Sequence, residues 1–229
     1  MNIIKLNAID STNDYLKNLL LKNALDNYTI VTADFQNKGK GQMGSQWKSE
    51  TSKNLICSIY INNSNVKLSN QFAINMVVCL AIKKSLDKFN IPQLSVKWPN
   101  DIMSGSLKLC GILIENIVKN KSIQEIVIGI GVNINQMEFN NLPNATSVKQ
   151  ITGKYYNTDE ILSEIVNDIK FYFNFLKEES LVELQKLYES NLYRLNKVST
   201  FKLPDSNLIS GYINGVNDDG RLKIILEND

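Results

Sequence analysis

Apolar and polar residues alternate over positions 2–8 (NIIKLNA), which predicts a short strand, and the period then changes. Ser11 or Thr12 caps a helix whose Tyr15, Leu16, Leu19 and Leu20 share one face. Residues 28–35 (YTIVTADF) and 54–61 (NLICSIYI) are rich in β-branched and aromatic side chains and predict two strands, with a polar, glycine-containing stretch between them. Residues 69–89 are apolar nearly all round, the pattern of a buried helix. LSVKW, 94–98, is a strand stopped by Pro99, and residues 108–118 and 123–134 are two long strands joined by the polar turn KNKS, a hairpin. NNLPNATSV reads as a loop. Thr158 caps a helix running to about Lys177, with Ile161, Leu162, Ile165, Ile169, Phe173 and Leu176 inward, and a further helix spans about Leu181 to Leu192.

The texture changes after Arg194. VSTFKL, LISGYINGV and RLKIILE are short strands separated by DSN and DDG turns, a pattern that predicts a small appended β-barrel. The expected organisation is a larger α+β domain over 1–190, on a mostly antiparallel sheet, and a small β domain over 191–229.

Composition removes several kinds of chemistry. At 229 residues with 43% hydrophobic content, the chain builds a real core. A net charge of +2 gives no argument for nucleic acid or an anionic membrane. Histidine is absent, which excludes Ser-His-Asp triads, Cys-His pairs and histidine metal sites. Cys57, Cys79 and Cys110 lie in apolar runs and read as buried small hydrophobes in a reducing compartment. The N-terminus has no signal-peptide pattern, and the longest apolar stretch, FAINMVVCLAI, is too short to span a bilayer. The expectation is a soluble cytoplasmic protein.

The stretch QNKGKGQMGSQW, 36–47, contains G-x-G-x-x-G. A dinucleotide-binding turn must open a helix, and this one runs into a strand. A kinase-type loop fits the local topology, but no HRD-like or DFG element follows. Glycines alone would leave a hairpin connection. The stretch keeps company, however, with DSTN at 10–13, KWPND at 97–101, LKLCGILIEN at 107–116 and IGIGVNIN at 128–135. In order and spacing these resemble the biotin protein ligases, over nearly the whole chain. KWPND followed by K-x-x-G-I-L-x-E is the most specific part.

The resemblance implies the fold shared by biotin ligases and class II aminoacyl-tRNA synthetases, with an SH3-like C-terminal barrel. It implies a two-step ATP-dependent reaction: biotin's carboxylate attacks the α-phosphorus to give biotinyl-5′-AMP, and a lysine of a biotin carboxyl carrier protein then attacks the anhydride. Such chemistry needs positive charge at the phosphate, alignment and exclusion of water, none of which requires histidine. By resemblance Lys108 lies beside biotin's carboxylate and the α-phosphate, and Gly111 lets the strand approach the ligand. Ser11, Thr12 and Gln36 meet the ureido end, whose donors and acceptors need hydroxyls and an amide, with helix capping an equal explanation for Ser11 or Thr12. Gly39, Lys40 and Trp47 complete the biotin set, Trp47 packing over the tail. Lys40, Gly41, Gln42, Lys97 and Asn133 make the ATP set, with Gly129 and Gly131 leaving room for a flat ring or marking bulges. Asp101 either accepts a proton from the carrier lysine or helps hold Mg²⁺ with the phosphates.

The sequence also departs from the family. The usual G-R-G-R-x-G-R-x-W is here G-K-G-Q-M-G-S-Q-W, so Lys40, Gln42 and Ser45 replace three arginines. Lysine keeps charge but not the bidentate fork. Lysines elsewhere compensate, or the adenylate is held less tightly, or the loop has its own chemistry with normal activity. The resemblance further implies a member without an N-terminal DNA-binding domain, hence no operator binding, and with a shortened C-terminal barrel. Monomer and homodimer are both compatible. The rivals are a lipoate-type acyl ligase of the same fold, whose motif needs a histidine, and a biotin- or nucleotide-binding module that has lost turnover.

Overall fold

The structure is a computed structural model and describes residues 2–120, 122–178, 180–203 and 205–227. The chain opens with β1 (Ile3–Ile9), α1 (Thr12–Leu20), β2 (Ile30–Gln36) and β3 (Leu55–Lys67). Next come α2 (Gln71–Asp87), β4 (Leu94–Lys97), β5 (Asp101–Ser104), β6 (Leu107–Lys119) and β7 (Ser122–Val132). The remainder is α3 (Val148–Thr152), α4 (Thr158–Glu178), α5 (Leu181–Ser190), β8 (Val198–Lys202), β9 (Leu208–Val216) and β10 (Leu222–Leu226). The first seven strands form one sheet in the order β1-β2-β3-β7-β6-β5-β4, and β10-β9-β8 form a second. Only the β1–β2 pairing is parallel among these strands, so the fold is α+β on a mostly antiparallel sheet, as the patterning predicted.

Alternation along the central strands decides where the core lies. Leu55, Cys57, Ile59 and Ile61 of β3 point to the same side as Ile126, Ile128, Ile130 and Val132 of β7 and Ile112 of β6. On that side α2, α4 and α5 bury them. The opposite face is covered only in part. There Leu16 of α1 packs on Val31, Tyr60 and Val127, a small cluster at one end. The rest of that face is left for the site.

Several boundaries differ from the pattern. α2 starts at Gln71 and ends at Asp87, and α5 ends at Ser190, because the flanking residues leave the helical hydrogen-bond ladder in 3-10 or turn geometry. The short strand β5 and the single-turn helix α3 carry too few residues for a period to be read. Of the hairpin turn at 119–122, Lys121 lies outside the described residues. The three cysteines are free and buried. Burial pushes the Cys57 thiol up to about 12 and raises those of Cys79 and Cys110, so all three are inert apolar fillers.

The small sheet is tied to α5 and to the turn after β4 at defined points. Trp98 Nε1 donates to Gly220 O at 2.8 Å, Gln185 Nε2 donates to Val216 O at 2.9 Å, and Val216 N donates to Glu189 Oε1 at 2.8 Å. Gly220 sits against the Phe72 ring, at a distance no side chain would fit.

Between α2 and α4, Asp168 is 4% exposed and receives Lys88 at 2.8 Å, Lys84 at 3.1 Å and Ser85 Oγ at 2.8 Å. Burial alone would raise its pKa, but hydrogen bonds from Lys88, Ser85 and Lys84 outweigh it and hold the carboxyl below the usual range. Its contribution is therefore complete above the unfolded value, about 3.9, and is lost as pH falls through the lower native one. Asp168→Asn should lower stability by about 1–3 kcal/mol at pH 7, discounted because the lysines are half in water. Urea melts at pH 7 and pH 3 should show the gap between wild type and variant narrowing in acid.

Candidate active site

The open face of the sheet is shaped by missing side chains. Its rows are set by register. Ile56, Gly131, Gly111 and Asp101 are paired across β3, β7, β6 and β5, and Val31, Ser58, Gly129 and Leu113 across β2, β3, β7 and β6. Gly131 and Gly111 are thus neighbours, and together they leave a trough. The Trp47 indole lies in it: a Cβ on Gly131 would come within 2.4 Å of Trp47 Cε2, and one on Gly111 within 3.0 Å of Cζ3. Trp47 Nε1 is buried without a hydrogen-bond partner.

The loop that delivers Trp47 is a tight hairpin. Trp47 N donates to Gly39 O at 3.0 Å, Gly41 N to Ser45 O at 2.8 Å, and Lys40 pairs with Gln46. Gly39 is buried where a Cβ would meet Trp47 O at 2.5 Å, so its missing side chain lets the two stems close. The glycine run is thus a tight strand connection that carries the Trp47 indole to the trough.

Lys108 reaches the same face by an irregularity. In a regular strand, residues 108 and 111 point to opposite sides. The β5–β6 register, however, shifts between Met103↔Lys108 and Ile102↔Cys110, which leaves Leu109 as the extra residue of a bulge. Leu109 and Cys110 both enter the core, and Lys108 turns to the open face. There its Cε and Nζ would lie 3.3 Å from a Cβ on Gly111. The loop after β7 braces the backbone: Lys108 N donates to Asn144 O at 2.7 Å, and Thr146 N to Lys108 O at 3.0 Å. Lys108 Nζ ends 2.7 Å from Asp101 Oδ1 and 5.9 Å from the Trp47 ring centre, with 36% of its side chain exposed.

Asp101 is held just as firmly. The turn before it, Trp98 to Asn100, is fastened through Pro99 O, which accepts from Asn75 Nδ2, from Tyr188 OH at 3.2 Å and from Cys79 Sγ at 3.7 Å. Asn100 Nδ2 donates to Ile112 O at 2.5 Å, and Ile112 N returns to Asn100 O at 3.1 Å. Asn100 therefore serves the turn, and Asp101 projects from the first residue of β5.

Two cavities meet at this pair. The first, about 200 Å³, is bordered by Ser11, Thr12, Gln36, Lys40, Gly41 and Gln42, among others. The second, about 570 Å³, is bordered by Lys48, Lys97, Asn133 and the loop 139–145, among others. Gln46, Trp47, Asp101 and Lys108 border both. Of the candidate residues, then, the biotin set apart from Gly39 gathers around the first cavity, where Gly41 and Gln42 also stand, and Lys97 and Asn133 face the second. Asn133 Nδ2 donates to Thr146 O at 3.0 Å, so part of its amide braces the loop. Gly129 and Gly131 are filled from within the protein, by Asn13 and by Trp47.

Charge is distributed unevenly. Lys40 Nζ turns back to Asp14 Oδ2 at 2.6 Å, and Ser45 Oγ donates to Gln42 O at 2.7 Å. Burial alone would raise the Asp14 carboxyl, but hydrogen bonds from Lys40 and Lys17 outweigh it and hold it below the usual range. The second cavity carries Lys48, Lys97 and Lys108 against Asp101 alone. Among the described residues no group of three or more acidic or cysteine side chains forms a metal site. Among the described residues Asp101 is the one carboxylate bordering either cavity and is already ion-paired, so those residues alone build no cage for Mg²⁺.

Sequence reasoning missed Asn13, Ser58, Glu115 and Lys48. Ser11 Oγ caps α1 by accepting from Asp14 N at 3.4 Å, and Thr12 N and Oγ1 approach Gln36 Oε1 at 2.7 and 3.1 Å. Ser58 and Asn13 lie directly behind. Asn13 and Glu115 stand inside quoted motifs; Ser58, a lone polar residue in a buried strand, was the readable signal. Replacing Gly131 by Val should expel the indole. In a Trp98→Phe background, acrylamide quenching of Trp47 fluorescence should rise severalfold, and unchanged quenching would contradict the packing described.

The chain matches the model of the Biotin/lipoate A/B protein ligase family over residues 6–133. It is 25% identical over 227 residues to the bifunctional ligase/repressor BirA of Bacillus subtilis, covering 96% of this chain and 68% of that protein. It is 23% identical over 196 residues to the biotin–[acetyl-CoA-carboxylase] ligase of Mycobacterium tuberculosis, covering 84% of this chain and 71% of that one. The structure superposes on the biotin protein ligase from Aquifex aeolicus in complex with biotin and ATP with a TM-score of 0.83 and 28% identity, over 99% of this chain and 93% of that one.

Proposed function

The chain belongs to the biotin/lipoate A/B protein ligase family, and on that premise we propose that it is an ATP-dependent biotin–[biotin carboxyl carrier protein] ligase. The observation that carries this reading is the Lys108–Asp101 pair standing in the wall shared by two cavities. A carboxylate reaching from the first cavity and a triphosphate lying in the second would meet at one ammonium group.

In the first step a carboxylate oxygen of biotin forms a bond to the α-phosphorus, the bond from that phosphorus to the bridging oxygen breaks, and pyrophosphate leaves. Lys108 offsets the charge that gathers between the two anions. Lys48 and Lys97 face the remaining phosphates and compensate for the neutral Gln42 and Ser45. Mg²⁺, held mainly by the nucleotide's own phosphate oxygens with Asp101 beside them, would add positive charge against the leaving pyrophosphate. Trp47, seated against Gly111 and Gly131 beside Lys108, keeps water from the anhydride. In the second step the carrier lysine attacks the acyl carbon, AMP departs with the bonding electrons, and Asp101 accepts the amine's proton. Ser11, Thr12 and Gln36 hold the ureido end, and Asn133 faces the adenine side. Residues 1–190 carry these groups as the catalytic domain, and 191–229 brace the Trp98 turn. Among the described residues no helix is long and apolar enough to cross a membrane.

Incubation of the purified protein with biotin, MgATP and a carrier domain should add one biotin per carrier, read by mass spectrometry. Pyrophosphate release dependent on lipoate rather than biotin would favour the lipoate reading, and biotin binding without adenylate would favour a binding module. Lys108→Ala should lower biotin-dependent pyrophosphate release by about 100-fold or more, with an unchanged circular dichroism melt. Substantial residual turnover would contradict its role.

A further inference from the structure

Behind the first cavity a polar chain leads from Glu115, whose side chain is 31% exposed, through the buried Asn13, Ser58 and Thr12 to Gln36, and Glu115, Asn13 and Ser58 have no part in the reaction as proposed. Glu115 Oε2 accepts from Asn13 Nδ2 at 2.7 Å, and the other Asn13 amide proton faces Leu113 O at 3.4 Å. Ser58 Oγ lies 2.5 Å from Asn13 Oδ1 and 2.7 Å from Thr12 Oγ1, and Thr12 Oγ1 lies 3.1 Å from Gln36 Oε1. Ser58 is fully buried, and Asn13 and Thr12 are each 3% exposed.

The protons in this chain can be placed by counting. A carboxylate and a carbonyl only accept, so they hold the Asn13 amide with its nitrogen toward Glu115 and its oxygen toward Ser58. Asn13 Oδ1 has no proton, so Ser58 spends its single hydroxyl proton there. The contact between Ser58 and Thr12 then needs the Thr12 proton. Three oxygen–oxygen contacts share two hydroxyl protons, and the one left without is the longest, Thr12 to Gln36. Gln36 Oε1 already faces Thr12 N–H at 2.7 Å, which prevents the amide from turning its nitrogen there. Two acceptor oxygens, 3.1 Å apart, therefore border the cavity with no hydrogen between them.

We infer that Glu115 is a positioning residue that sets the direction of this proton chain, so that Thr12 Oγ1 and Gln36 Oε1 together form a receptor for a ligand N–H. A second observation supports it. A Cβ on Gly129 would meet Asn13 Oδ1 at 2.5 Å, so the sheet leaves room for that amide in that place. Glu115 is anchored in turn by Lys17 Nζ at 2.6 Å. The inference rests on the biotin reading in one respect: a cyclic urea brings the N–H that such a pair accepts. If the chain were reversed, the Thr12 hydroxyl would point its proton at Gln36, and the receptor would close.

The test measures biotin affinity by calorimetry and the KM for ATP by pyrophosphate release, on wild type, Glu115→Gln, Ser58→Ala and the double variant. Ser58→Ala removes the acceptor that draws the Thr12 proton away from Gln36, and it leaves every charge in place. Each single variant should weaken biotin binding about tenfold, the scale of one hydrogen bond. The KM for ATP should be unchanged, and the double variant should bind no more weakly than the weaker single. Wild-type biotin affinity in Ser58→Ala, or a double variant whose losses multiply, would overturn the inference. Gly129→Ala gives a second route, since it displaces Asn13 without removing a polar atom, and normal biotin affinity there would count equally against it. Failure of wild type to release pyrophosphate with biotin would instead refute the ligase reading.

Discussion

A sheet with one packed face and one hollow face is the condition on which the rest of the molecule depends. Isoleucine and valine fill alternate positions of β3, β6 and β7 and lock that side against α2, α4 and α5. The intervening positions carry Gly111, Gly129 and Gly131, and their missing side chains are the volume into which Trp47 and Asn13 fit. The packed side makes the hollow side possible. A sheet open on one face and glycine-rich there would lose its register without the apolar layer behind it.

Upon that floor the chemistry is placed by small irregularities. The bulge at Leu109 carries Lys108 across to the open face, and the fastened turn before β5 points Asp101 to meet it. Neither group is loose. Lys108 is braced by the loop after β7, and the turn before Asp101 by donors from α2 and α5. Trp98 extends the same turn to the small sheet through Gly220. α2 and α5, packed under the floor, thus contribute to holding the charged pair at the meeting of the two cavities.

The polar chain from Glu115 to Gln36 follows the same logic at one remove. A hydroxyl in water rotates freely, but one buried between fixed acceptors has a direction. The ion pairs Lys17–Glu115, Lys17–Asp14 and Lys40–Asp14 continue that order outward to the glycine hairpin. The head of the first cavity and the loop over it are therefore parts of one network. Lys40 is committed to that network, and the positive charge at the second cavity comes from Lys48 and Lys97, with Lys108 paired to Asp101 between them and the first cavity.

Hydrophobic period was enough to find the long helices, the strands of the central sheet and the texture change after Arg194, because these elements repeat over many residues. It missed β5 and α3, which are too short to repeat. Motif order alone brought Lys108, Asp101, Thr12, Gln36 and Trp47 into one hypothesis. Their meeting was not written in spacing: K-x-x-G puts lysine and glycine on opposite faces of a regular strand, and only the bulge reunites them. The glycines read as space for a ligand's flat ring are, in this structure, packed by the chain's own indole and amide. Ser58 and Glu115 stayed silent as single polar letters, since their roles arise from which strand lies beside which. Local pattern determines elements because side chains within a few residues share a face; hydrogen-bond direction and the junction of two cavities depend on neighbours distant in sequence, and those only the tertiary structure decides.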